Sequence, residues 1–221
     1  MSNYWDSKFL KHLQISNVKI IFEVGARYGC ETIQLKRVFS KSIIHSFECN
    51  PKTIDTCKMN LSASDDIIFN DFGLGLKEEK QPFYSYINDN DGASSLLKRI
   101  DFDRTQIQTG IIKIKTLENY VKNNNIQSIN LLCMDVQGYE LNVLKGAGNF
   151  IKNINYIIME EPKPIINENY LPSGIHSKYI NAPTSQEIKA FMTECGFVEV
   201  ERIEENKIED NVMYKNIITS L

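Results

Sequence analysis

The chain has 221 residues, 42% of them hydrophobic and 24% charged, with 11 glycines and 6 prolines. That is the make-up of one globular domain and excludes collagen-like, mucin-like and wholly disordered chains. Lys and Arg number 25 against 28 Asp and Glu, a net charge of −3, so no overall basic field points to nucleic acid or an anionic membrane.

Residues 4–15 read as a short amphipathic helix within an N-terminal helical extension (1–18), ahead of a single domain over 19–221. This first stretch carries Asp6, Lys8, Lys11 and His12 and has no apolar h-region. No apolar run nears the ~18 residues of a membrane span. The cysteines at 30, 49, 57, 133 and 195 form no C-x-x-C pair, which speaks against a zinc knuckle or redox pair and for a reducing compartment. A cytoplasmic protein is expected.

Residues 19–24 (KIIFEV) form an apolar run that ends at a glycine, as a buried parallel strand does. A helix is expected over 29–39, a second strand over 42–47, and a second helix opened by Asn50-Pro51. Further strands are read at 67–70, 81–87 and 111–115, with a polar loop over 88–95 and a short helix over 117–121. Residues 129–136 (INLLCMDV) are the clearest buried strand, followed by a helix over 140–144 and a strand over 156–159. Residues 162–183 read as a long loop, a length that often marks a lid or binding segment. Thr184 and Glu187 make a capping box for a helix that ends at Cys195 before Gly196. Strands at 197–202 and 212–218 close the chain as an antiparallel hairpin. The order predicts an α/β fold: a Rossmann-like, doubly wound, mostly parallel sheet with an antiparallel C-terminal edge.

Ligands of such sheets bind at the carboxyl ends of the strands. The first end, Glu23-Val24-Gly25-Ala26-Arg27-Tyr28-Gly29, lets the backbone turn sharply and approach a ligand. The second ends in Glu48, about twenty residues on, where a carboxylate can accept both ribose hydroxyls of an adenosine. The third offers Asn70 and Asp71 to an adenine. Either the glycine turn or Glu48 alone is as readily explained by ordinary α/β packing; in order and at this spacing they favour an adenosine-bearing cofactor. A dinucleotide site would want a third glycine, absent from G-A-R-Y-G-C.

The segment LLCMDVQGYE over 131–140, followed by VLKGA over 143–147, resembles the signature of FkbM-type methyltransferases. Glu23 to Gly29 is similar to that family's cofactor turn, Gly92-Ala93-Ser94-Ser95-Leu96 to its serine-containing loop, and Thr116-Leu117-Glu118 to its T-L-D step. The likeness covers about residues 19–160, with the strand after Val212 fitting the closing edge. Arg27 stands where the family usually has Asn, and Gln137 replaces the commoner Glu. The resemblance implies a class I methyltransferase fold and S-adenosylmethionine (SAM) as cofactor, with a hydroxyl of a sugar, glycan or related metabolite as methyl acceptor. By position it implies Glu23 near the cofactor's ammonium, Gly25, Ala26, Arg27 and Gly29 in the turn, Glu48 on the ribose, and Asn70 or Asp71 near the adenine.

Methyl transfer needs an aligned acceptor and a group to take its proton. Asp135, Glu140, Glu160, Glu161 and His176 are the candidates. Asp135 and Glu160 or Glu161 end neighbouring strands and could form a base site or a weak divalent-cation site. Glu140 reads better as a carboxylate satisfying a helix N-terminus, and His176 is as readily a solvated loop residue. Tyr84, Tyr86, Tyr170 and Tyr179 could shape an acceptor pocket or simply pack. Three other readings compete. A nicotinamide-dependent oxidoreductase lacks its third glycine; a nucleic-acid methyltransferase lacks N-P-P-Y or D-P-P-Y; a non-catalytic module would show no turnover.

Overall fold

The computed structural model describes residues 3–86, 91–99, 106–163 and 179–218. His176 and Tyr170 lie outside them. Seven strands, β1 (Ile20–Val24), β2 (Ile43–Phe47), β3 (Ile67–Asn70), β7 (Ile129–Met134), β8 (Ile154–Pro162), β9 (Phe197–Glu204) and β10 (Glu209–Asn216), form one sheet in the order β3-β2-β1-β7-β8-β10-β9. A second sheet of three strands, β4 (Gly73–Leu74), β5 (Glu79–Tyr86) and β6 (Gln106–Lys115), has the order β4-β6-β5. The helices are α1 (Ser7–Leu10), α2 (Cys30–Val38), α3 (Ile54–Leu61), α4 (Leu117–Asn123), α5 (Glu140–Lys145) and α6 (Ser185–Glu194).

Central strands are apolar on both faces because both are covered. Neighbouring residues of a strand point to opposite sides, so Phe22, Leu132 and Ile157 join Val143, Leu144, Ile188 and Met192 in one core layer. Ile21, Leu131 and Ile158 join Leu35, Ile44 and Phe39 in the other. The expected strands form, and β1, β2, β3, β7 and β8 run parallel. Strand β10 runs against both β8 and β9, so the antiparallel character of this edge comes from one strand inserted between two others. The capping box is present, with the Glu187 N–H donating to Thr184 Oγ1 and the Thr184 N–H donating to Glu187 Oε2.

Four elements differ from the sequence expectation. Helix α1 is confined to Ser7–Leu10, and Tyr4, Phe9 and Leu13 fold down as a buried layer on Leu35, Phe39 and Ile44. Pro51 heads a turn: the Asn50 carbonyl accepts the N–H groups of Thr53 and Ile54, and α3 begins only at Ile54. The strands at β5 and β6 leave the main sheet. In β6 only Ile112 and Ile114 are buried, while Ile111 and Lys113 face out. A ribbon with one apolar face suits the flank of the molecule, where β4–β6 roofs the ends of β1 and β2.

The chain winds outward from β1 to β3, then returns to β7 on the other side of β1. This switch point opens a crevice at the carboxyl ends of β1, β2 and β7.

Candidate active site

A cavity of about 380 Å³ occupies that crevice. Gly25 and Arg27 line it from the turn after β1, Glu48 to Asn50 from β2, Asp135 to Gln137 from β7, and Glu160 from β8. Phe72 to Leu74, Phe83 and the segment Gly92 to Leu96 form the opposite wall, and Tyr4, Tyr139 and the β9–β10 turn complete the rim.

The turn after β1 is held by backbone bonds. The N–H groups of Gly25 and Ala26 both donate to the Phe47 carbonyl at 3.0 Å, and the Asp135 N–H donates to the Val24 carbonyl at 3.0 Å. Gly25 has φ +93, and a Cβ there would stand 2.0 Å from the Asp135 carbonyl oxygen. The glycine is therefore demanded by the neighbouring strand end. Arg27 has φ +51, a left-handed backbone that Asn adopts more readily than other side chains.

Glu48 accepts the Arg27 N–H at 2.5 Å through Oε2 and the Asn50 N–H at 2.5 Å through Oε1. Burial pushes its carboxyl up to about 7, against these two backbone donors, which pull it down. Glu23, ahead of the turn, is fully enclosed: Thr32 Oγ1 donates to it, and Ser46 Oγ donates at 3.4 Å. Burial raises it to about 8, and it is outside the cavity lining. Ala26 packs on Cys57 and Leu61, and Gly29 caps α2 with φ +80 against Leu61. Asn70 spends its amide on the Ser46 and Ile68 carbonyls at 3.3 and 3.0 Å. Asp71 is exposed; the residues after it, Phe72 and Gly73, reach the cavity instead.

At the other end of the crevice, the amide nitrogen of Gln137 donates to Asp135 Oδ1 at 2.6 Å and to Glu160 Oε2 at 3.0 Å. Tyr179 donates its hydroxyl to Gln137 Oε1. Burial and the neighbouring Asp135 carboxylate hold Glu160 well above the usual carboxylate range. Glu161 points to the opposite face of β8, where it takes Tyr214 OH at 2.5 Å and Arg202 Nη2 at 3.1 Å. Of the pair at the end of β8, only Glu160 meets Asp135. Glu140 accepts the N–H groups of Val136 at 3.1 Å and Gly138 at 3.3 Å through Oε1 and so clamps the turn after β7.

Among the described residues, no group of three or more His, Cys, Asp or Glu is placed to hold a metal ion. The cavity does offer unused donors suited to a polar ligand. Arg27 Nε and Ser94 Oγ are buried without a hydrogen-bond partner among the described residues, and both residues line the cavity. Buried polar atoms of this kind are rare unless a ligand or water completes them. The rest of the wall suits an adenosine: apolar Phe72, Leu74 and Phe83 beside the Glu48 carboxylate. Sequence reasoning missed Tyr4, Arg99 and Tyr139. Tyr139 lies inside the signature, whereas Arg99, flanked by the rings of Tyr86 and Tyr179 at 5.7 Å each, had no local signal.

The Methyltransferase FkbM domain model matches residues 23–199, which hold most of the cavity lining, all but Tyr4 and the β9–β10 turn. The chain belongs to the FkbM methyltransferase family. Membership makes it a SAM-dependent methyltransferase. As an FkbM protein it is similar to the 2-O-methyltransferase NoeI of Sinorhizobium fredii, 22% identical over 69% of this chain and 67% of the relative. It is also similar to the hexuronic acid methyltransferase AglP of Haloferax volcanii, 24% identical over 64% of this chain and 55% of the relative. The chain thus spans about two thirds of one relative and little more than half of the other. The FkbM fold is shared with Aeropyrum pernix fibrillarin bearing S-adenosyl-L-methionine, at TM-score 0.53 and 12% identity, covering 91% of this chain and 68% of that one. It is shared too with M. capricolum TrmK in complex with S-adenosyl-homocysteine (SAH), at TM-score 0.52 and 11% identity, covering 92% and 65%.

Proposed function

We propose that this protein methylates a hydroxyl of a sugar or glycan, with Asp135 as the base. The carrying observation is the position of Asp135, which lines the same cavity as Glu48 and Arg27 but at its other end, paired with Glu160 through Gln137. The cavity residues suit SAM: Glu48 for the ribose hydroxyls, Arg27 Nε–H and Ser94 Oγ for the polar methionine end, and Phe72 and Leu74 for the adenine. When bound, SAM supplies a methyl group already activated by its sulfonium.

The protein's own tasks are then alignment and proton removal. A sugar hydroxyl is far too weak an acid to be ionised beforehand at neutral pH. Asp135 would accept its proton late and become neutral, as the methyl group leaves the sulfonium sulfur for the hydroxyl oxygen, while the Gln137 amide holds its carboxylate in place at 2.6 Å. General-base help of this type is worth about 10²–10⁴-fold. The hexuronic acid in the name of AglP, the O-methyl transfer in that of NoeI and the net charge of −3 favour a glycan over a nucleic acid as acceptor.

The test is Asp135→Asn. SAM affinity should stay within about threefold while turnover on a responsive glycan falls by roughly 10²-fold or more. An Asn variant with wild-type kcat would return Asp135 to a structural strand end.

A further inference from the structure

The end of β7 presents an arrangement that the reaction alone does not require. Two carboxylates, Asp135 and Glu160, face one another across the side-chain nitrogen of Gln137, which gives one N–H to each at 2.6 and 3.0 Å. The other side of that amide is fixed, because its oxygen takes the Tyr179 hydroxyl. The backbone of Gln137 is fixed as well, with φ +54 and its carbonyl accepting Ser95 Oγ at 2.9 Å. The Asp135 carboxylate can only accept, so the nitrogen faces the acids and the oxygen faces the Tyr179 hydroxyl, which also lies 3.2 Å from the Ala93 carbonyl.

Two convergent carboxylates are ordinarily an invitation to a hard divalent cation, which wants oxygen ligands on every side. Here the centre of the pair is filled by a donor, the positive end of an amide dipole. A cation could enter only if the amide turned over, and Tyr179 opposes that.

We propose that Gln137 is a positioning residue whose amide, held by Tyr179, takes the bridging place between Asp135 and Glu160 that a divalent cation would need, so that the acceptor site works without one. This rests on reading Asp135 as the acceptor-facing base. In that role the amide keeps the carboxylates apart and fixes the Asp135 carboxylate at the cavity wall. Exchange of Gln137 for Glu removes both donors and adds a third set of acceptor oxygens at the same spot, converting a closed bridge into a cation site.

The test is Mn²⁺ titration followed by electron paramagnetic resonance, with SAH calorimetry as the check that each variant keeps its cofactor pocket. Wild type should show no saturable Mn²⁺ site in the millimolar range. Gln137→Glu should acquire one Mn²⁺ per chain, bound at least about tenfold tighter than to wild type, and adding Asp135→Asn should abolish the gain. A saturable wild-type site that Asp135→Asn removes would overturn the proposal. So would a Gln137→Glu protein that binds SAH but gains no Mn²⁺. If Gln137→Glu loses SAH binding, Tyr179→Phe decides: it frees the amide to turn its oxygen inward, so uptake of Mn²⁺ supports the bridge and no uptake overturns it. Because neither readout needs turnover, a failed bridge is distinguishable from a failed base, which shows only in the kcat of Asp135→Asn.

Discussion

Arg27 and Gln137 depart from the family pattern at positions with the same backbone. Both have left-handed φ, +51 and +54, and each carries a polar side chain into the crevice. At position 27 the usual Asn is explained by backbone preference, so turn and contact are separable by mutation. Arg27→Asn should leave thermal stability within about 0.5 kcal/mol while weakening SAM binding roughly tenfold, through loss of the buried Nε–H. Calorimetry beside thermal melting reads both. Glu48→Ala should behave differently, because its carboxylate holds the turn as well as lining the cavity proposed for the cofactor. Losing a charged acceptor costs about 1.5–3 kcal/mol of cofactor binding, and the stranded Arg27 and Asn50 N–H groups cost stability too. Both Kd and Tm should move; an unchanged Kd would take Glu48 out of the site.

Much of the family signature proves to be construction. In the run from Asp135 to Glu140, Asp135 and Gln137 line the cavity, while Glu140 and Gly138 build the turn that presents them. The later VLKGA step is packing: a Cβ on Gly146 would lie 2.0 Å from the Gly75 carbonyl oxygen, and the Gly146 carbonyl receives the Glu118 N–H that starts α4. Helix α5, the loop after β4 and α4 meet there backbone to backbone. Gly146→Ala should therefore destabilise the fold by roughly 3 kcal/mol or more, in the range of severe core overpacking, with intact SAM affinity in whatever fraction stays folded. Chemical denaturation and calorimetry measure the two quantities. A stable Gly146→Ala protein would show that the two segments can part cheaply.

Across the whole molecule, several carboxyls are buried on one side of the sheet ends. Burial raises Glu23 and Glu140 to about 8 and Glu48 to about 7, from 4.5 in the open chain. In that window the folded protein holds protons that the unfolded chain has released, so the stability these groups contribute is present below pH 4.5 and lost as pH rises through 7 to 8. His45, lowered to about 4 by burial, acts in the opposite sense, but only below its ordinary 6.5. Between pH 6.5 and 8 these raised carboxyls act against the fold, and the melting temperature of the ligand-free protein should fall. Glu140→Gln keeps the one oxygen, Oε1, that takes both backbone N–H groups, so it should melt with a visibly flatter pH slope. An unaltered slope would assign the effect to other groups. Among the described residues, no helix is long and apolar enough to cross a membrane.

The alternation of short apolar runs with helical spacing was enough to determine the doubly wound sheet, because buried parallel strands must be apolar on both faces and glycine must follow where a strand end turns over its neighbour. The cavity wall proposed for the cofactor was half legible for the same reason: Gly25, Arg27 and Glu48, which line it, are local to the strand ends that name them. Tertiary structure decided the rest. Glu23 is one residue from the turn yet faces Thr32 and Ser46, and Asn70 spends its amide on carbonyls, since side-chain direction depends on what packs behind each strand. Glu160 and Glu161 were indistinguishable in the sequence; the pleat sent one to Asp135 and the other to Arg202. The amide bridge needed three segments, 135–137, Glu160 and Tyr179, and no local pattern reports a contact across 42 positions. Tyr4 came to the rim in the same way, because burying Phe9 and Leu13 on the sheet carries the N-terminal segment over the end of β1.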